Sequence, residues 1–118
     1  MLLDSNIIIY LSNDSNLDNF LKDEILFASI VSKIEVLGFH KISEKKKLDL
    51  SNFFKDITIL TIDSEIVDQS IALRQKRNIS LGDAIIASSA LVHNLPLVTA
   101  NTPDFKWIDG IILINPLQ

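Results

Sequence analysis

The chain alternates between short apolar runs and longer segments in which apolar residues recur at helical spacing. The short runs are continuous rather than alternating, which is the pattern of parallel strands covered on both faces. We predict five such strands, at 2–3, 25–28, 57–60, 96–99 and 111–114. Strands that alternate with helices in this way predict an α/β fold with a central, mainly parallel sheet of four to five strands.

The segments between these strands carry the capping residues and apolar spacing of helices. We predict helices from Ser5 or Asn6, around Leu17 to Leu21, and over 30–39, 41–56, 64–77 and 80–92. A polar break at 13–16 separates the first two. The run Ile7-Ile8-Ile9 also favours a strand, so the state of the first segment stays open at this point.

Apolar positions indicate the face that each helix buries. The segment 41–56 reads as a charged amphipathic helix whose apolar members are Leu48, Phe53 and Phe54. In 64–77 we predict that four residues point inward: Ile66, Val67, Ile71 and Leu73. The segment 80–92 is apolar on nearly all sides, which predicts a helix that is buried from both sides.

Composition restricts the protein class. The chain has 118 residues, 47% of them hydrophobic, which predicts one packed domain over 1–118. It has no cysteine, so thiolate zinc sites, cysteine nucleophiles and disulfide frameworks are excluded. The start of the chain lacks the basic region of a signal peptide, and no apolar run is long enough to span a bilayer. We therefore expect a soluble, cytoplasmic protein without a membrane partner.

The formal net charge is −4, whereas a protein that binds nucleic acid only by neutralising phosphates is normally basic. The charge thus argues against a simple DNA-binding module. A nuclease whose acids surround metal cations remains compatible with it.

Four acids occupy positions where an α/β sheet builds its sites, beyond the carboxyl ends of the strands. Asp4 follows the first strand directly, and Glu35 lies on the helix after the second. Asp83 opens the helix that leads into the fourth strand, and Asp104 lies in the loop after that strand. Because clustered carboxylates repel one another, this set predicts a hard divalent cation, Mg²⁺ or Mn²⁺, which prefers oxygen ligands. Such an ion can promote hydrolysis of a phosphodiester.

Each acid also has a purely structural interpretation. Ser80 to Asp83 matches a capping box, Pro103 and Asp104 match a helix or turn start, and Asp4 can simply end a strand. Glu35 is a lone acid among apolar neighbours and faces either water or a metal. These alternatives stay open for each residue taken alone.

Basic and aromatic residues near the acids are candidate RNA contacts. Four cations are candidates for phosphate binding, although surface solubility explains them equally well: Lys33, Arg74, Lys76 and Arg77. Phe105 and Trp107 follow Asp104, and each can either stack on a base or pack against the last strand.

Four segments, taken together and in order, resemble the PIN-domain ribonucleases, in particular the VapC-type toxins of bacterial toxin–antitoxin pairs. The segments are 2–6 (Leu-Leu-Asp-Ser-Asn), 32–39 (Ser-Lys-Ile-Glu-Val-Leu-Gly-Phe), 80–87 (Ser-Leu-Gly-Asp-Ala-Ile-Ile-Ala) and 97–105 (Leu-Val-Thr-Ala-Asn-Thr-Pro-Asp-Phe). The resemblance extends over essentially the whole chain, and the segment that ends in Asp104-Phe105 is its most specific part.

The resemblance implies a PIN-like three-layer α/β/α sandwich and a Mg²⁺- or Mn²⁺-dependent endoribonuclease. It also implies a cognate antitoxin that blocks the pocket, and a homodimer. Carried over by position, the catalytic and metal-binding set would be Asp4, Glu35, Asp83 and Asp104. Three further residues would orient an acid or a water molecule: Ser5, Thr99 and Asn101.

Two alternatives keep the fold class and change the function. A PIN-like domain can act as a catalytically silent binding domain, although a degenerate site would be expected to lose an acid. A phospho-acceptor domain also has an Asp at a strand end, but it usually has further acids near that strand and a Lys after a late strand. Here Met1-Leu2-Leu3 precedes Asp4, and Ala100-Asn101 follows the late strand.

Overall fold

The central sheet of the computed structural model, which describes residues 1–11 and 15–117, has five strands. The strands are β1 (Leu2–Leu3), β2 (Phe27–Ser29), β3 (Thr58–Leu60), β4 (Leu97–Val98) and β5 (Leu113–Ile114). Every pair is parallel, and the strand order is β3-β2-β1-β4-β5. The predicted parallel α/β sheet is confirmed, with strands shorter than the apolar runs that predicted them.

In the part of the chain that the structure describes, six α-helices connect or follow these strands. They are α1 (Ser5–Leu11), α2 (Ser15–Leu21), α3 (Ile30–Leu37), α4 (Glu44–Lys55), α5 (Ser64–Lys76) and α6 (Leu81–His93). A short 3₁₀ helix, Thr102–Asp104, follows β4. None of the helices described is long and apolar enough to cross a membrane.

The first helix resolves the ambiguity of the three isoleucines. The Ile7 amide donates a hydrogen bond of 2.8 Å to Oδ1 of Asp4, so the acid at the end of β1 satisfies a free amide of the first helical turn. Asp4, rather than Ser5 or Asn6, therefore provides this cap. Residues 13 and 14 of the predicted polar break lie outside the described residues, whereas Ser15 and Asn16 belong to α2.

The two faces of the sheet carry separate hydrophobic cores, because successive strand residues point to opposite sides. One core contains Leu2, Leu60 and Leu97 with residues of α5, α6 and the segment after β4. The other contains Leu3, Ala28 and Val98 with residues of α1, α2, α3 and α4. Helices thus cover both faces, and the predicted three-layer sandwich is confirmed. Burial of Ala84 to Ala90 also confirms that α6 is enclosed on nearly all sides.

Two of the predicted inward positions, Val67 and Ile71, are wrong, and one apolar member of α4 lies outside the core. Leu48 on α4 is 62% exposed, and Leu50 is buried in its place beside Phe54. Val67 and Ile71 on α5 are exposed, whereas Ile66, Ser70 and Leu73 face the core. On α5, Val67 and Ile71 form an apolar row at i, i+4 spacing beside the buried row, and only contact with α6 decides which of the two rows is buried.

The contrast between Leu48 and Leu50 gives a stability prediction with its own control. Leu50→Ala should lower the free energy of unfolding by about 2–5 kcal/mol, because it opens a cavity under α4. Leu48→Ala makes the same chemical change on the same helix at an exposed position, and should stay within about 0.5 kcal/mol of the wild type. Urea unfolding measures both. Equal losses for the two variants would show that α4 is rotated relative to this structure.

The topology fixes where a site can form. Strand β1 lies at the centre, with β2 on one side and β4 on the other, so the connections that leave β1 and β4 run in opposite directions. The Asp4 amide donates to the Val98 carbonyl at 3.1 Å, which holds the carboxyl ends of these two strands together. The place where neighbouring connections leave in opposite directions is called the switch point of the sheet. In open parallel sheets, ligands bind in the crevice at this point.

Candidate active site

Asp4 lies at the carboxyl end of β1 and is only 6% exposed. Burial raises the pKa of its carboxyl above the ordinary value of 3.8. Hydrogen bonds from the Thr99 side chain and from the Ile7 and Asn6 amides partly offset this rise, and the charge of Glu35 adds to it. Thr99 thus contacts Asp4, as the resemblance implied. Its hydroxyl oxygen also accepts from the Asn101 amide at 3.0 Å.

Glu35 extends from the exposed side of α3 toward α1 and α6. Its Oε1 accepts a hydrogen bond of 2.8 Å from the Ser5 hydroxyl. The Ser5 oxygen also lies 3.0 Å from the hydroxyl oxygen of Ser32, a residue one turn before Glu35 on α3 that sequence reasoning missed. The i, i+3 spacing of Ser32 and Glu35 was the available signal. Ser5 therefore contacts an acid of the group, Glu35, which lies thirty residues away in the sequence.

Gly82 allows α6 to approach Glu35 closely. A Cβ atom built at Gly82 would lie 2.9 Å from Oε2 of Glu35, closer than such contacts occur. Any side chain at this position would displace the carboxylate. The glycine before Asp83 therefore brings the start of α6 against Glu35, a role that the sequence alone did not reveal.

Asp83 occupies the first turn of α6 and is half-buried. Its amide donates to the Ser80 hydroxyl oxygen at 3.1 Å, which confirms the predicted cap. Burial raises the pKa of the Asp83 carboxyl, a hydrogen bond from the Ser80 side chain opposes the rise, and the charges of Glu35, Asp104 and Asp4 reinforce it. Asp83 thus lies in the first turn of α6, where Ser80 caps its amide, and its carboxyl is within range of the charges of the other three acids.

Asp104 ends the 3₁₀ helix after β4, as the Pro103 signal predicted, and is exposed. The Asn101 side-chain amide donates to Oδ2 of Asp104 at 2.5 Å. The indole N–H of Trp107 donates to the Asp104 backbone carbonyl at 2.8 Å. The loop after β4 is therefore held by its own side chains, with Asn101 in contact with an acid of the group.

The structure brings the four acids close enough that the charges of three of them act on the fourth, Asp83. They do not all line one cavity. A cavity of about 310 Å³ beside the start of α6 is lined by Asp83 and Asp104, whereas Asp4 and Glu35 are not among its lining residues. Within residues 1–11 and 15–117, no three acids or histidines form a preformed cage for a metal ion.

The donor set nevertheless fits a hard divalent cation. It consists of carboxylate oxygens on four elements, and two of these carboxyls, Asp4 and Asp83, have a raised pKa. Mg²⁺ takes only one or two protein carboxylates directly and keeps several waters, so it needs no closed protein cage. The residues suit magnesium or manganese and, without cysteine, suit zinc poorly.

The predicted RNA-binding cations divide between different surfaces. Arg77 lines the cavity beside Asp83 and Asp104, and its guanidinium carbon lies 5.3 Å from the centroid of the Trp107 ring. Arg74 instead borders an apolar groove between α5 and α6. Lys33 and Lys76 are exposed and do not line the cavity. Contact of these residues with RNA stays a prediction. Phe105 is buried in the core, so of the two candidate aromatics only Trp107 reaches the cavity.

The raised pKa values of Asp4 and Asp83 predict a pH dependence of stability without metal. A carboxyl whose folded pKa lies above its unfolded value binds its proton more tightly in the folded state. Its contribution is therefore most favourable below the unfolded value of 3.8 and is lost as the pH rises through the folded pKa. Asp4→Asn should reduce this loss, which urea unfolding over a pH series in EDTA measures. Parallel curves for variant and wild type would contradict the prediction.

Comparison with known proteins assigns the family. The model of the PIN domain family matches residues 1–110. The chain belongs to the PIN domain family. No curated protein matches the chain. The family membership confirms the resemblance that the four sequence segments indicated.

Solved structures similar to this PIN domain agree with the assignment. A toxin–antitoxin complex from Klebsiella pneumoniae contains a chain with 31% identity and a TM-score of 0.82, with 98% of this chain and 96% of that chain covered. VapBC2 from Rickettsia felis, bound to a DNA fragment from its promoter, has 26% identity and a TM-score of 0.85, with 97% and 96% covered. VapBC-1 from nontypeable Haemophilus influenzae has 23% identity and a TM-score of 0.84, with 99% and 98% covered, and shows the shared fold.

Proposed function

We propose that this PIN domain is a Mg²⁺- or Mn²⁺-dependent endoribonuclease and the toxin of a type II toxin–antitoxin pair. The observation that carries the proposal is the position of Asp83, half-buried and within range of the charges of Asp4, Glu35 and Asp104. These acids gather at the switch point of the sheet in a chain of the PIN family. Such a group is costly for stability alone, because like charges and burial both disfavour ionisation.

The proposed site assigns a role to each contact described above. Asp4, Glu35, Asp83 and Asp104 would hold the divalent ion, which supplies Lewis acidity to a phosphodiester and makes water a stronger nucleophile near neutral pH. Ser5 holds Glu35, Thr99 holds Asp4 and Asn101 holds Asp104. These three donors fix the directions of the carboxylates before substrate binds, which is the usual role of groups behind metal ligands.

Hydrolysis of RNA with purified protein tests the proposal. Cleavage should require Mg²⁺ or Mn²⁺ and should stop in EDTA. Because water is the nucleophile, the products should carry 5′-phosphate and 3′-hydroxyl ends. Products that end in a cyclic phosphate, or cleavage that continues in EDTA, would overturn the mechanism. A complete lack of cleavage on every RNA tested would instead favour the catalytically silent binding domain.

An antitoxin is the proposed protein partner. Support comes from the similar structures, which are described as toxin–antitoxin complexes or VapBC pairs. A small DNA-binding protein encoded beside this chain is the expected candidate. Its addition at a one-to-one ratio should suppress RNA cleavage, whereas a complex that cleaves as fast as the free chain would contradict the inhibitory role. Membership of the PIN family leaves no observation in favour of the phospho-acceptor alternative.

The proposal also includes a homodimer, a cytoplasmic location and a single domain over 1–118. The dimer agrees with exposed apolar side chains on α5 and at the start of α6, namely Val67, Ile71 and Leu81. Light scattering at micromolar concentration should give twice the mass of the chain. A strictly monomeric species would contradict the dimer and leave the nuclease proposal standing.

A further inference from the structure

The cavity beside Asp83 and Asp104 has a second wall that the proposed hydrolysis does not use. This wall contains Arg77, Asn78 and Trp107, and the enclosed volume of about 310 Å³ is within the range of small-ligand sites. We propose that this cavity binds the base of one nucleotide next to the cleaved phosphodiester, and so selects the RNA sequence that is cut. The inference rests on the proposed function, because it places the base relative to the proposed site of cleavage.

The indole of Trp107 is held in a fixed position. Its N–H donates to the Asp104 backbone carbonyl at 2.8 Å, and its inner part packs against the core under α6. The ring is half-buried and its remaining surface contributes to the cavity. Because the indole is already fixed, little side-chain conformational entropy of Trp107 is lost when a base stacks on it.

Arg77 adds a second planar group to the same wall. Its guanidinium carbon lies 5.3 Å from the centroid of the indole ring, at the end of α5. Bases of single-stranded RNA stack on aromatic rings and on guanidinium planes, and the cation adds attraction for the flanking phosphate. The pair therefore places a guanidinium plane and an indole ring together in the lining of one cavity.

The charges of the cavity favour a base over other groups. Asp83 and Asp104, which also line the cavity, repel a free phosphate that enters without a cation, whereas a base is neutral and planar. The side-chain amide of Asn78 has donors and an acceptor, which can read the edge of a base. A base in the cavity would lie beside the two acids proposed to flank the reacting phosphodiester, so its identity would affect where the strand is cut.

Trp107 is the single tryptophan of the chain and so reports on the cavity directly. Its fluorescence should be quenched, with saturation, by at least one of the four ribonucleosides in EDTA, where no cleavage occurs. Ribose should leave it unchanged. Arg77→Ala should weaken the response about 10-fold. Lys106→Ala, which removes a positive charge beside Trp107 but not from the cavity, should not. No saturable quenching by any ribonucleoside, or an equal response to ribose, would overturn the inference.

Cleavage mapping separates this inference from the proposed function. On RNA of mixed sequence, the wild type should prefer one base at the position next to the cut, and Asn78→Ala should relax that preference. The cleavage rate of this variant at the preferred site should fall by a smaller factor than the ratio between its rates at preferred and other sites. Saturable quenching without any cleavage would support the base site and reject the nuclease. Cleavage with the same base preference in wild type and Asn78→Ala, with silent fluorescence, would reject the base site and retain the nuclease.

Discussion

Asp83→Asn should reduce RNA cleavage by about 10²–10³-fold, the loss typical when a group that stabilises transition-state charge is removed. The substitution nearly preserves shape and removes one negative charge from the group formed with Asp4, Glu35 and Asp104. The proposed role in metal binding and catalysis depends on that charge. Rates measured on one defined RNA, at saturating Mn²⁺ and at equal protein concentration, check the prediction.

The position of Asp83 in the capped first turn of α6 requires a control for stability. Its backbone amide, which is unchanged by the substitution, makes the bond to Ser80, so loss of the carboxylate should cost at most about 1 kcal/mol in stability. Asp63→Asn makes the same chemical change at the start of α5, where the side chain caps the Ile66 amide at 3.0 Å. Asparagine caps as well as aspartate, so this variant should stay folded and fully active. A folded Asp83→Asn protein with wild-type activity would reject the catalytic assignment.

Mn²⁺ should raise the melting temperature of the wild type by about 10 °C at a free concentration near 100 times its dissociation constant. Binding to the folded state alone adds about 2.7 kcal/mol under that condition, and a domain of this size converts each kcal/mol into roughly 4 °C. The cation should have this effect because it relieves repulsion among carboxylates that are held together by the fold. Thermal unfolding with Mn²⁺ and with EDTA measures the shift.

The melting-temperature shift in variants and at different pH values shows where the Mn²⁺ binds. Asp4→Asn and Asp83→Asn should each lose most of it, and Asp63→Asn should retain it. The shift should also shrink as the pH falls, since protons compete with the metal for two carboxyls whose pKa values are raised. An equal shift in Asp4→Asn and in the wild type would place the bound Mn²⁺ elsewhere on the surface.

The sequence by itself was sufficient to predict the layered fold, because its signals are local. Continuous apolar runs indicated buried parallel strands, and residues such as Ser80 and Pro103 indicated the beginnings of the helical segments. The positions of the acids relative to the predicted strands indicated which side chains form the candidate site. These features depend on neighbouring residues along the chain, so they can be read without knowledge of its three-dimensional path.

Only the tertiary structure decided which of two adjacent rows on a helix is buried, and which groups hold the acids. On α5, Val67 and Ile71 are exposed because α6 packs against the neighbouring row of this helix and not against theirs. Ser5 contacts Glu35 thirty residues away, and Gly82 permits α6 to approach that same carboxylate. The wall formed by Arg77 and Trp107 likewise joins the end of α5 to the loop after β4. Contacts of this kind depend on distances between elements, which local propensity and periodicity do not encode.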